Sequence, residues 1–390
     1  MSRSVPEILE NIDLYADDQV DHLLDALAVA RTECPIRHTT ADGGYYVITR
    51  YEDVRTVCEN PELFSSAQPA LRGVPVRIIP VDSDPPEHRH FRAFLNHYFS
   101  RTFLLRHEEQ MRKIARTAIA AFLDRGELDV VRDYAIPFSA GSLARVVFAT
   151  DNQDLVQRGV AAVNRVAVES TPETFQRVAE LAMEAMAEVE NAAQEREDVL
   201  AALTTAEFDG RPLTVEERLG IVTALLLGGL DTTRGMIVHI AHHLATRPGV
   251  ERVLRTPDWW RNPLDEFLRY QTTVSFMARV VTKDTELSGV PLRKGDRLAV
   301  HFYSANRDPN RFDHPDELDL TRPSKPNAAF GMGIHRCLGQ HFARIQLATA
   351  FEELLTRTTN FRLKEGQEIR RMAGVPLGTP QQLWLTFDKR

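Results

Sequence analysis

"AFGMGIHRCLGQ", residues Ala329–Gln340, sets three glycines, one histidine and one cysteine within a dozen positions. Glycine gives up the most conformational freedom on folding, so a loop this rich in it serves a close approach to its backbone. Cys337 sharpens the question, because the rest of the chain holds only Cys34 and Cys58.

Three chemistries compete for Cys337. A free thiol can be a small buried hydrophobe. A structural zinc site needs about four nitrogen or sulfur ligands at short spacing, and only His335 is near. A thiolate can also hold a haem iron from below and push electron density onto it. The neighbours separate these readings. Gly331 and Gly333 are expected to bare the backbone to a flat macrocycle, and "CLGQHFARIQLATAFEELL" begins a helix at or just after Cys337. A helix N-terminus lowers a thiol's pKa and stabilises the thiolate.

The remainder is an ordinary globular composition, 43% hydrophobic and 26% charged over 390 residues, without a Gly/Ser- or Pro-rich linker. One domain spanning 1–390 is expected. A net charge of −8 and a pI near 5.9 give no basic field for nucleic acid. Scattered cysteines and an amino terminus without a basic-then-apolar signal pattern suggest a cytoplasmic protein. The longest apolar stretch, Gly220–Leu230, is short of the roughly 20 residues of a membrane span, and Asp231 and Arg234 follow it.

Helical periodicity runs from Asp18 to about Ala30, Asp84 to Ser100, Phe103 to Leu123, and through most of Pro137 to Arg247. Strand alternation appears at Tyr45–Thr49, Arg279–Thr282, Asp296–Val300 and Leu383–Phe387, towards the two ends. The pattern predicts a mainly α (α+β) fold: a helix-rich domain with a long central helix and small β-sheets. Asp84, Pro85 and Glu87 read as one capping box, Thr214 and Glu217 as another. The acidic run between Glu180 and Asp198 reads as a solvated helix face.

"LLLGGLDTTRG", Leu225–Gly235, lies inside the long helix. Two adjacent glycines there cost roughly 1 kcal/mol each relative to alanine, so they serve space or bending. Close helix packing would explain them alone, but Asp231 and Thr232 add an acid and a hydroxyl beside the gap. His239, His242 and His243 follow without a carboxylate to complete a metal pattern and read as surface histidines. Glu266 and Arg269 share one face of a short helix, as do His88 and Arg92.

Taken together, these motifs resemble the cytochromes P450 of the soluble bacterial type. "FGMGIHRCLG", Phe330–Gly339, fits the haem-binding pattern Phe-Gly-x-Gly-x-His-x-Cys-x-Gly, and the other motifs follow in family order. The resemblance implies that Cys337 ligates the iron of haem b, with Phe330, Gly331 and Gly229 lining the cofactor. It implies His88, Arg92, Arg279 and His335 as propionate partners. Asp231 and Thr232 become the catalytic pair that activates dioxygen and delivers protons. Glu266, Arg269 and Arg322 become the structural set that fixes the cysteine loop. Val76, Ile78, Leu225, Leu226, Val274, Phe276 and Leu377 are the implied substrate contacts.

The implied activity is a haem-thiolate monooxygenase that inserts one atom of O2 into a small, mostly apolar organic substrate by hydroxylation, epoxidation or dealkylation. With no anchor, flavin or iron–sulfur module in the sequence, electrons are expected from a ferredoxin and its NAD(P)H-dependent reductase. Arg89, Arg101, Arg106 and Arg112 are candidates for steering that acidic carrier. Arg72 or Arg77 could meet a carboxylate on the substrate. A peroxide-driven enzyme and a non-catalytic haem sensor or carrier are the alternatives; Asp231 and Thr232 argue against both.

Overall fold

The architecture follows from where the apolar periodicities lie. It was established from a computed structural model, which describes residues 3–169, 171–190, 197–367, 369 and 379–390. The central helix, Val215–Thr246, runs 32 residues, about 48 Å at 1.5 Å per residue. Its start carries the expected capping box: the Thr214 hydroxyl accepts from the Glu217 N–H at 3.2 Å, and the Glu217 carboxylate accepts from the Thr214 N–H at 2.7 Å. This helix is long and apolar enough to cross a membrane by length and composition, but most of its apolar window is buried inside the protein. Ile221, Val222, Ile237 and Ile240 on it belong to the largest apolar cluster. Helices Glu108–Phe122, Gln153–Glu169, Pro172–Glu190 and Gln340–Arg357 contribute to the same cluster.

The larger sheet builds two apolar clusters of its own. Strands Ile36–Thr39, Tyr45–Ile48, Arg297–Val300, Met277–Val281 and Phe64–Ser65 pair in that order. Arg297–Val300 lies parallel to Tyr45–Ile48, with Ala299 opposite Val47, and antiparallel to Met277–Val281, with Ala299 opposite Ala278. Both faces are covered, by Val54, Val57 and Phe312 on one side and Leu23, Leu27 and Phe276 on the other. A second sheet joins Thr358–Leu363, Trp384–Lys389 and Glu127–Asp129. The last of these strands is mid-chain, so strands are not confined to the ends of the sequence.

Several boundaries differ from the periodicity. The Asp18–Ala30 segment is helical from Leu23 to Glu33, after a short 3-10 turn at Asp17–Gln19. The Phe103–Leu123 segment is two helices, Arg101–Leu105 and Glu108–Phe122, the first capped by Ser100. The Asp84 capping box does not form. That helix is Glu87–Asn96, begun after Pro86, and the Asp84 carboxylate instead accepts from the Ser65 hydroxyl and the Ser66 N–H. A strand edge has recruited the acid that the helix needed. In the acidic run, Glu180 and Glu184 pair with Arg177 and Arg158 near the surface, whereas 191–196 lie outside the described residues.

Candidate active site

The cysteine loop is shaped by backbone demands. Gly331 and Gly333 have φ of +68° and +64°, the left-handed region that favours glycine. At Gly333 a Cβ would also fall 2.1 Å from the carbonyl oxygen of Cys58. Its bareness therefore admits the end of helix Tyr51–Glu59 and not a macrocycle, a correction to the sequence reading. The Cys337 N–H donates to the Phe330 carbonyl at 2.7 Å, closing the loop, and the following helix begins at Gln340.

Cys337 lines a cavity of about 440 Å³ under the central helix. Burial pushes its thiol pKa up, outweighing the Gly339 N–H and the charges of Arg92 and Arg336. A bound metal ion deprotonates a coordinating thiol outright, whatever the burial of the free side chain.

Cationic and imidazole groups converge on one edge of the cavity. Helix Glu87–Asn96 buries His88, Phe91 and Leu95 along one stripe, which brings Arg92 to the cavity as well. The His88 and His335 rings lie 4.3 Å apart, and both Nε2 atoms are buried without a hydrogen-bond partner. Burial, then the charge of Arg92, holds His88 down to about 4. Burial, then Arg279, holds His335 down to about 2. Arg279 donates to the Ala278 carbonyl at 2.7 Å and Arg92 to the Arg336 carbonyl at 2.9 Å, with no ion pair to an acid among the described residues. Buried polar nitrogens without partners and unpaired guanidiniums beside a free thiol fit a flat dianionic metal complex, whose carboxylates suit arginine.

The opposite wall is the glycine turn of the central helix. Gly228 has open space where its Cβ would be, whereas a Cβ at Gly229 would meet the Leu143 Cδ1 at 2.6 Å. Both glycines line the cavity, but Gly229 owes its bareness to Leu143, and the opening belongs to Gly228. The Thr232 hydroxyl donates to the Gly228 carbonyl at 2.7 Å. Asp231 is buried and ion-paired with Arg234, whose other nitrogen donates to Asn164 at 2.7 Å. Burial raises the Asp231 pKa and Arg234 opposes the rise.

Below the loop, Glu266 and Arg269 form a bidentate pair, both contacts 2.8 Å and each side chain 2% exposed. Arg322 reaches the same carboxylate at 3.2 Å and also donates to the Asp313 carbonyl at 2.6 Å. Arg269 further holds the carbonyls of Asn306 and Pro315, both at 2.7 Å.

The comparisons with known proteins bear on this geometry. A family model described as cytochrome P450 matches residues 261–382. A probable cytochrome P450 127A1 of Sinorhizobium fredii is 34% identical over 84% of this chain and 80% of its own. The chain belongs to the cytochrome P450 family. The linalool 8-monooxygenase of Pseudomonas putida is 30% identical over 91% of this chain and 93% of its own. The crystal structure of cytochrome P450 CYP101C1 superposes with a TM-score of 0.87, at 27% identity and 97% coverage of both chains. The P450 fold and the monooxygenase class, an oxidoreductase built on a haem-thiolate, are thereby shown.

Of the expected substrate contacts in this P450, Ile78, Leu225, Val274 and Phe276 line the cavity. Val76 does not, and Val74 stands there instead. Leu226 turns away into a separate cavity of about 20 Å³. Leu377 lies outside the described residues. Val163, Val166 and Phe175 also line the cavity and went unread, because on their helices they have the same apolar pattern as core residues. Gln346, buried with its Nε2 unpartnered, was missed too.

Some expected charges are already engaged. Arg72 pairs with Asp42 at 3.2 Å, and Arg77 with Asp82 at 3.0 Å and Glu87 at 3.1 Å, so neither is free for a substrate carboxylate. Arg112 is held by Glu108, Glu352 and Glu353. Among the described residues, no group of three His, Cys, Asp or Glu side chains is placed to hold a metal ion.

Proposed function

We propose that this P450 binds haem b and oxygenates a small, mostly apolar organic molecule. The observation that carries the reading is one mainly apolar cavity bounded by Cys337 on one side and by Gly228, Asp231 and Thr232 on the other. When bound, the haem iron supplies the reductive activation of dioxygen and the transfer of one oxygen atom. Cys337 holds the iron. His88, Arg92, Arg279 and His335 would hold the propionates, which would satisfy the unpartnered Nε2 atoms of the two histidines. Phe330 and Gly331 shape the cysteine side.

Thr232 keeps its proton on the Gly228 carbonyl and presents its oxygen to the cavity. Turning that proton toward the cavity makes it a donor at the reacting oxygen. Asp231 restores it, because its raised pKa favours taking up a proton while Arg234 holds the carboxylate in place. The apolar wall of Val163, Phe175, Leu225 and Phe276 excludes bulk water and orients an apolar substrate.

Electrons are assigned to a ferredoxin and its NAD(P)H-dependent reductase, docking near Arg89, Arg101 and Arg106. Arg112, neutralised by three glutamates, contributes nothing to that charge. The test pairs a ligand screen with reconstituted turnover. A ligand that shifts the ferric spectrum to high spin should be oxygenated with reductant consumed. Ligands that shift the spectrum without any product or reductant consumption would sink the reading.

A further inference from the structure

A second cavity, of about 450 Å³, lies away from the haem site, between helix Leu23–Glu33, the last turns of the central helix and the Tyr303–Arg307 turn. His243 faces it, is 4% exposed, and has both ring nitrogens buried without a hydrogen-bond partner. A neutral imidazole carries one donor and one acceptor, and leaving either unmet in the interior is costly.

The same cavity is lined by two buried guanidiniums. Arg31 donates to the Ser304 hydroxyl at 3.0 Å, its Nε is without a partner, and it makes no ion pair among the described residues. Arg307 donates to the Tyr270 carbonyl and the Tyr303 hydroxyl, both at 2.8 Å, and its Nε is also unpartnered. Its acid partner among the described residues, Asp316, is 3.0 Å away with a side chain 70% exposed. Arg247 adds an exposed charge at the rim, as does the carboxylate of Asp25. The buried acid nearby, Asp308, is taken up by the N–H groups of Tyr51 and Asn310. Two guanidiniums are thus buried at the cavity, while its two lining carboxylates, Asp25 and Asp316, are exposed, the latter still reaching Arg307. Burial, with Arg247 and the neighbouring histidines, holds the His243 pKa down to about 3, so the ring is neutral and offers one N–H donor.

We propose that this cavity is a binding site for a small organic acid. Its carboxylate meets Arg31 and the unpartnered Nε of Arg307, His243 donates to it or to a neighbouring polar atom, and its apolar body lies along Leu24, Leu27 and Tyr270. Guanidinium geometry suits a planar carboxylate, and the cavity's size and mixed lining suit more than a bare inorganic ion.

The test uses the holoenzyme with imidazole occupying the iron, titrated with benzoate by calorimetry and thermal unfolding. Saturable binding is expected, with Tm rising by about 3 °C at a hundredfold excess over Kd. Arg31→Gln and His243→Phe should each weaken Kd about tenfold. His243→Phe should itself fold at least as stably, since it removes two unmet nitrogens, so it carries the test if Arg31→Gln does not fold. No saturable binding, or the same affinity in His243→Phe as in the parent, overturns the proposal. Inorganic phosphate should bind more weakly than benzoate; equal affinity overturns the assignment to an organic acid.

Discussion

Asp231 and Arg234 lie one turn apart on the central helix and form a buried ion pair, which Asn164 ties to helix Gln153–Glu169. The acid proposed to return protons is therefore positioned by a residue three places along its own helix. Removing Arg234 would leave a buried charge uncompensated, which costs about 3 kcal/mol or drives Asp231 to its protonated form. Arg234→Gln is expected to lower the Tm of the holoenzyme and to release more peroxide per NAD(P)H oxidised. An unchanged Tm together with unchanged coupling would count against the positioning role.

Thr232→Ala removes the hydroxyl that now rests on Gly228 but leaves the apolar wall intact. Ligand-induced spectral shifts should keep their affinity, while product per NAD(P)H falls about tenfold or more and peroxide rises. Equal product yield in variant and parent would refute the assigned proton transfer.

The two glycines Gly228 and Gly333 should respond in opposite ways. A Cβ at Gly228 meets no protein atom within 4 Å, and alanine gains about 1 kcal/mol in a helix interior, so Gly228→Ala should fold at least as stably while weakening ligand affinity and coupling at the cavity it opens. At Gly333 the new Cβ would strike the backbone of Cys58 at a positive φ. Gly333→Ala should cost about 2 kcal/mol or more and loosen haem retention. Tm and the absorbance ratio of haem to protein would report both.

How far the chain was legible depended on whether a residue's role was local. The cysteine loop, the Thr214–Glu217 cap and the Glu266–Arg269 pair are short-range patterns, and each forms where the sequence put it. Arg322 closing on Glu266 was legible only through the family resemblance. The Asp84 cap failed because Ser65 and Ser66, far off in sequence, offered that carboxylate other donors. Arg72 and Arg77 are engaged by acids that periodicity does not reveal, through the fold for Arg72 and through a turn for Arg77; Arg112 has a legible i,i+4 partner in Glu108, but Glu352 and Glu353 reach it through the fold. Gly333 was right as a glycine and wrong in what approaches it, since Cys58 comes from another element.

Glu217 gives a prediction in pH. Its hydrogen bonds from Arg211, despite the opposing effect of burial, hold its carboxyl down to about 2 from an ordinary 4.5. A depressed carboxyl contributes stability that is complete above its unfolded pKa and is lost as pH falls toward the folded one. The stability difference between the parent and Glu217→Gln should therefore be flat above about pH 5, near 1 kcal/mol as for other helix caps, and shrink between pH 4.5 and 2. Thermal unfolding of both proteins across that range measures it. A gap that instead widened on acidification would show that Glu217 gains nothing from Arg211 and Thr214 at the head of the central helix.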